Sequence, residues 1–420
     1  MLDRTLAPPF IRSTTFDLIK PVKTISENGC EIYFVLGGGQ NVCKVELIFP
    51  AGRWHENVWG AAYFSAQLLS KGTSQKTSYE IAQLFDHYGA HLEISAGMDF
   101  VSVSIYSLNK NLEPSLTLLL ELLLDSTFPE KELSQLKSIY LQNLKVNKEK
   151  TSFQASVLFR KIMYGIDHPY GKELEEDEVT SLSTDQLMNH YRSFFQGTTI
   201  VVSGKVSEAH QQFITDIFGP FSLNGLKHEI AAQPAMPKIE RKVVSKDGSV
   251  QGSIRMGKLS VGRTDAHYAA VIFLNHILGG YFGSRLMKNI REEKGLSYGI
   301  SSSISSMLHG NHMAIGADVN LENVDLTFDE IMRELKRLRT EKIDAVELET
   351  ARNHFIGNLQ LEITTSFAHA DKVKNLLLFN LPDTFYQDLI QRIDRISADD
   401  LLQIGDMYFQ EDSFVEVAVG

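Results

Sequence analysis

Two periods of hydrophobic and polar residues alternate along this chain, one of two residues and one near 3.6. In the first half, Glu31–Val35 and Val42–Phe49 are rich in β-branched and aromatic residues and read as strands. Val58 to Leu69 reads as a helix, and Ser78 to Tyr88 as another, with Ile81, Leu84, Phe85 and Tyr88 on one stripe. Alternating segments at His91–Ala96 and Phe100–Ser107 predict two further strands. Long helices are expected over Leu112–Asp125 and, just after Pro129, over Glu130–Lys148. Phe153–Tyr164 predicts another, Thr184 is the expected N-cap of the next, and the run TTIVVSG ends the unit as a strand.

The second half repeats that order. A strand at Gly252–Met256 leads to a helix at Ala266–Leu278 and a short one at Ser284–Glu293. Alternation at Tyr298–Ser305 and His312–Asp318 precedes helices at Glu322–Arg339, Asp344–Glu362 and Phe367–Phe379, and SFVEVAV closes the chain. Ser183 matches Ser397 and Ile200 matches Val415 in these two runs, a period far above that of solenoid repeats, so the pattern predicts a duplicated domain. Meandering strands with runs of helices argue for an α+β fold. The expectation is two tandem homologous α/β sandwich domains, each a largely antiparallel sheet with packed helices, facing each other like a clam. Residues 1–223 and 241–420 form the two units. The linker at 224–240 contains AAQPAMP, where Pro234 and Pro237 break any helix.

Composition narrows the function classes. With 420 residues and 43% hydrophobic side chains, two full cores are within reach. The net charge of -11 leaves no basic surplus for nucleic acid. Two cysteines, Cys30 and Cys43, make neither a disulfide framework nor a zinc cluster, so free thiols in a reducing compartment are expected. No secretory signal is visible in MLDRTLAPPFIRS, and the apolar stretch Leu116–Leu124 is too short to span a bilayer. A cytoplasmic protein without membrane partners is expected.

Self-contained catalytic motifs are missing. There is no G-x-S-x-G elbow, no H-E-x-x-H and no P-loop. Gly37-Gly38-Gly39 reads as a hairpin turn between two strands. His87 and His91 are separated by the helix-ending Gly89, and His309 and His312 flank Gly310-Asn311. Surface or turn roles are expected for both pairs.

The segment GAAYFSAQLLSKGTSQKTSYEIAQLFDHYGAHLEISAG, Gly60 to Gly97, resembles the metal-binding region of the pitrilysin and insulysin family of zinc peptidases. That family carries H-x-x-E-H on a helix, then Lys-Gly-Thr and a short helix ending at glycine. The frame is intact at Phe64, Leu69, Lys71-Gly72-Thr73, Glu80-Ile81 and Gly89. The resemblance puts Tyr63 and Gln67 where the histidines belong, Ala66 where the general base belongs, and Asn143 at the third ligand. Phenol, two amides and a methyl cannot replace two imidazoles and two carboxylates, so no zinc is expected in this chain. His168-Pro169-Tyr170-Gly171 is also similar to the family's first domain. In the second, LNHILGGYFGSRLMKNIREEKGLSYGI, Leu274 to Ile300, is similar to the undegraded family signature. Paired bacterial members keep an Arg and a Tyr from it in the subunit that lacks the zinc motif. Those match Arg291 and Tyr298. A guanidinium and a phenol facing a carbonyl oxygen that gains charge are suitable donors.

The resemblance therefore implies the non-catalytic subunit of a zinc endopeptidase heterodimer. Its partner would be a homologous H-x-x-E-H-bearing subunit holding the zinc, and its substrate a peptide in an enclosed chamber. The rival readings are a structural scaffold subunit and a homodimer that binds peptides without cutting them. Read without the resemblance, Arg291 is a surface ion-pairing residue and Tyr298 an aromatic on a half-buried strand.

Overall fold

The computed structural model describes residues 13–219, 237 and 239–420. Most of the expected linker, and both the closing part of the first unit and Pro234, lie outside the described residues.

The first sheet contains β1 (Val22–Ile25), β2 (Glu31–Leu36), β3 (Val42–Phe49), β4 (His91–Ala96), β5 (Val101–Leu108) and β6 (Thr199–Gly204). Its spatial order is β1-β2-β6-β3-β5-β4. The second contains β7 (Arg241–Val244), β8 (Gln251–Leu259), β9 (Ser297–Met307), β10 (Gly310–Asn320) and β11 (Val415–Val419), in the order β7-β11-β8-β10-β9. In each, the last strand inserts between the first two major ones, parallel to one and antiparallel to the other. The duplication expected from the repeated pattern is thus one topology used twice, with β1 added to the first copy. One expectation fails here. Gly37–Gly39 does not close a hairpin, because β6 lies between β2 and β3.

Helices fill the intervals. In the first half they are α1 (Ala61–Leu68), α2 (Ser78–Tyr88), α3 (Leu112–Asp125), α4 (Glu130–Lys148), α5 (Thr151–Tyr164), α6 (Glu176–Ser181), α7 (Thr184–Phe194) and α8 (Glu208–Phe218). The second half has α9 (Tyr268–Asn275), α10 (Val324–Thr340), α11 (Ala345–Leu361), α12 (Ser366–Leu378), α13 (Phe385–Arg395) and α14 (Ala398–Tyr408). Capping boxes close α2 at Thr77 and α7 at Ser183, one residue before the Thr184 expected to cap it. The helix expected over Ala266–Leu278 divides: α9 ends at Asn275, and His276–Gly280 continues as a π turn. A second π segment, Met287–Glu293, lies where a short α-helix was expected.

Each half has its own core, but two helices cross over. α5 of the first half packs on β8 and β11, where Ala155, Phe159 and Met163 meet Val415, Val417 and Val419. Gly257 on β8 makes room for it, since a Cβ there would lie 2.7 Å from the Phe159 ring and 2.0 Å from the Met313 carbonyl oxygen. Reciprocally, α12 covers β2 and β6, with Ala370 and Val373 against Val35, Ile48 and Val201. A buried ionic network ties that second crossing down. Lys44 lies 2.8 Å from Glu46, which also meets Lys374 at 2.8 Å, and Asp371 bridges both lysines. Burial would lower the Lys44 ammonium, but Glu46 and Asp371 hold it above its ordinary value. Among the described residues no helix is long and apolar enough to cross a membrane.

Candidate functional site

α1 carries the degenerate positions. It starts at Gly60, whose φ of 92° is left-handed and whose missing Cβ would otherwise sit 3.0 Å from Leu174. Glu56 takes the place of an N-cap side chain by accepting from the Ala62 N–H at 2.8 Å. Its other carboxylate oxygen is enclosed without a partner, and burial pushes its pKa up to about 7. Beyond that cap, Tyr63 is half-buried, edge-on to Phe64, and 5.4 Å from the Tyr140 ring of α4. Ala66 is fully buried. Gln67 donates to the Ile94 carbonyl of β4 at 3.3 Å, so its amide is committed to holding the helix on the sheet edge. On α4, Asn143 is exposed, one turn beyond Tyr140, whose ring meets α1.

This donor set does not fit a zinc ion. Burial raises the Tyr63 phenol and pushes Tyr140 up to about 12, so neither is a phenolate at neutral pH. Ala66 offers no ligand atom, and Gln67 offers only a neutral amide oxygen while its nitrogen donates to Ile94. Among the described residues no three His, Cys, Asp or Glu side chains converge in a way that could hold a metal.

Arg291 and Tyr298 are brought together. Both line one polar cavity of about 350 Å³, with Gln251, Ser297, Asp318 and Asn320. Arg291 projects from the second π segment. Asn289 anchors that segment by donating to Glu330 and Glu334 of α10 at 3.1 and 2.8 Å. Among the described residues Arg291 has no carboxylate within ion-pair distance; its guanidinium instead lies 4.6 Å from the centre of the Phe282 ring. Tyr298 is 96% exposed, near the start of edge strand β9. The register shifts between Ala317 and Val319, so Tyr298 and Gly299 stand opposite Asp318 alone. Such a bulge re-aims side chains, and here it turns the phenol outward. Arg285 is different: its fork grips Glu347 at 2.8 and 2.9 Å, a structural ion pair between elements.

The sequence matches "Insulinase (Peptidase family M16)" over residues 38–174 and "Peptidase M16 inactive domain" over residues 181–355. The chain belongs to the M16 peptidase family. Within M16, it is 25% identical over 396 residues to "Uncharacterized zinc protease YmxG" of Bacillus subtilis, covering 92% of this chain and 95% of that protein. It is 22% identical over 358 residues to "Non-peptidase homolog YmxG" of Helicobacter pylori, covering 82% and 81%. A solved peptidase M16 inactive domain from Pseudomonas fluorescens shares the fold, with a TM-score of 0.88, 24% identity, and coverage of 95% and 98%. The altered zinc positions of this M16 chain are consistent with a non-catalytic member.

His309 and His312 were expected in surface or turn roles; His309 is an exposed residue of the β9–β10 turn, and both also make contacts across the two halves. His309 stacks on Trp54 with ring centres 3.8 Å apart, and His312 meets the Tyr164 hydroxyl at 2.7 Å. Beside them, Tyr170 donates to Asp99, which also accepts from the Leu308 N–H at 3.0 Å. The HPYG motif of the first half is thus a socket for the hairpin tip of the second. Spacing carries no such signal, because the partners are more than a hundred residues apart. His87 and His91 are exposed, as expected.

Proposed function

We propose that this chain is the accessory subunit of a zinc-dependent endopeptidase and completes the active site of an H-x-x-E-H-bearing M16 partner. The partner holds the metal and the general base. This chain contributes Arg291, Tyr298 and part of the chamber wall, and it works in the cytoplasm on peptide substrates. The observation that carries this reading is the Arg291–Tyr298 pair. A phenol left almost wholly in solvent contributes nothing to the core, and a guanidinium with no carboxylate partner among the described residues has donors to spare. Both face one cavity large enough for a peptide group.

The chemistry follows from charge. As a peptide carbonyl becomes tetrahedral, its oxygen gains negative charge, and donors already aimed at it stabilise that state more than the ground state. Arg291 supplies a fixed positive fork and Tyr298 an O–H.

A fluorogenic peptide assay tests the reading. It compares the chain alone, the H-x-x-E-H homologue alone, and the mixture, with and without a chelator. Activity is expected in the chelator-sensitive mixture and not with this chain alone. Arg291→Ala and Tyr298→Phe are each expected to lower kcat by roughly 100-fold or more without dissociating the pair. Full activity of both variants would remove the donor assignment, and no gain on mixing would remove the subunit assignment.

A further inference from the structure

The second half holds a cluster that the proposed function does not use. His276 sits on the π turn that follows α9, and His354 and Asn358 lie one turn apart on α11. We propose that His276, His354 and Asn358 form a binding site for a divalent transition-metal ion of the zinc or cobalt type.

The geometry starts from two nitrogens. Nε2 of His276 and Nδ1 of His354 are 3.2 Å apart. Two imidazole nitrogens bound to one tetrahedral ion at about 2.0–2.1 Å stand roughly 3.3 Å from each other. The Asn358 amide lies 3.4 Å from the same His354 nitrogen, and exchanging its N and O would present a carbonyl oxygen to that point. Without a metal, one imidazole N–H donates to the other ring and pairs the two histidines. The Nδ1 atom of His354 has one lone pair or one hydrogen, yet two nitrogen neighbours compete for it. A cation among the three satisfies all of them at once.

The surroundings hold the rings in place. Tyr281 lies across both imidazoles, 4.7 Å from His276 and 4.6 Å from His354, which restricts their rotation. Gly280 leaves the space His276 occupies, since a Cβ there would come within 2.8 Å of its Nδ1. The π turn shifts His276 out of the α-helical register, as such turns often do at functional sites. His276 is 8% exposed, whereas His354 is half-buried and Asn358 exposed, so an ion can enter from one side with water as its remaining ligands. In the first half the corresponding helix contact is Tyr63 against Tyr140, which has no such donors.

The proposal is independent of the subunit role and is tested on the full chain without a partner. Co²⁺ is titrated into metal-free protein and followed by visible d–d absorption, with Zn²⁺ calorimetry for stoichiometry. His354→Gln keeps a donor toward His276 but removes a ligand, and Asn358→Ala alters an exposed position, so at least one variant retains the fold. The wild type is expected to show one imidazole-ligated Co²⁺ that His354→Gln weakens by about tenfold or more, with a smaller loss in Asn358→Ala. Equal binding by wild type and both variants, or no Co²⁺ binding by the wild type, overturns the site.

Discussion

Glu56 shows how one carboxyl can serve a helix and still cost stability. It caps α1 through the Ala62 N–H, yet its second oxygen is enclosed without a partner. Its pKa, near 4.5 in the unfolded chain, rises to about 7 on folding. A raised carboxyl stabilises the fold fully below the unfolded value, and that contribution is lost as pH rises through the folded value. Buried His190, His276 and His312 act in the opposite sense. Each is held near 4 by burial, so their contribution is present above about 6.5 and is lost as pH falls through 4. Glu56→Gln separates the two effects because it keeps the acceptor and removes the titration. It is expected to raise stability at pH 8 by up to about 3 kcal/mol and to change little at pH 4.5. Urea unfolding at the two pH values measures this, and an equal shift at both would show that Glu56 does not titrate near neutrality. The thiols are simpler: burial pushes Cys30 up to about 11 and Cys43 to about 12, so neither is a reactive thiolate.

Among the elements, α5 is the one whose sequence says least about its destination. Its apolar residues predict a helix, and a helix over Thr151–Tyr164 is found. Periodicity cannot say which sheet it covers. Phe159 is 3% exposed against the second sheet, in the space left by Gly257. Phe159→Ala is expected to cost about 3–5 kcal/mol. The location of the damage is the sharper test: amide exchange should quicken in β8 and β11 of the second sheet while β3 and β5 keep their protection. Loss confined to the first sheet would contradict the crossing. The two π segments and the β9–β10 shift also escape a reading by period, because each inserts residues into an otherwise regular pattern. These irregular elements position His276, Arg291 and Tyr298. The edge strands β1 and β7 escaped it too: each has four residues with mostly exposed side chains, too short for a recognisable alternation.

On the scale of the whole molecule, the reciprocal crossing makes the two halves one body. α5 reaches into the second half and α12 into the first, Phe16 joins the second core beside Tyr386, and the β9–β10 tip lies in the Trp54–Tyr170 socket. The covalent link between them is then dispensable for assembly. Residues 1–223 and 237–420, co-expressed as separate chains, are expected to co-elute as one complex with near-native circular dichroism. Separate elution would mean that the peptide connection, and not the crossed helices, holds the halves. Any clam-like chamber is therefore expected to open between two chains, with each chain moving as a unit.

The sequence by itself determined the duplicated α+β plan and most strand and helix positions, and its resemblance to the family marked Tyr63, Ala66 and Gln67 as altered zinc positions. Those depend on local period and on which atoms a side chain possesses, and both can be read from residues in order. Only the tertiary structure decided that Tyr140 meets α1, that β6 separates β2 from β3, and that α5 and α12 exchange sheets. It also decided that Arg291 and Tyr298 share a cavity, and that His276 meets His354. Each of these is a choice among partners distant in sequence. Apolar faces of similar size compete for one another, and the outcome rests on shape and on space such as that left at Gly257, which no stretch of chain carries alone.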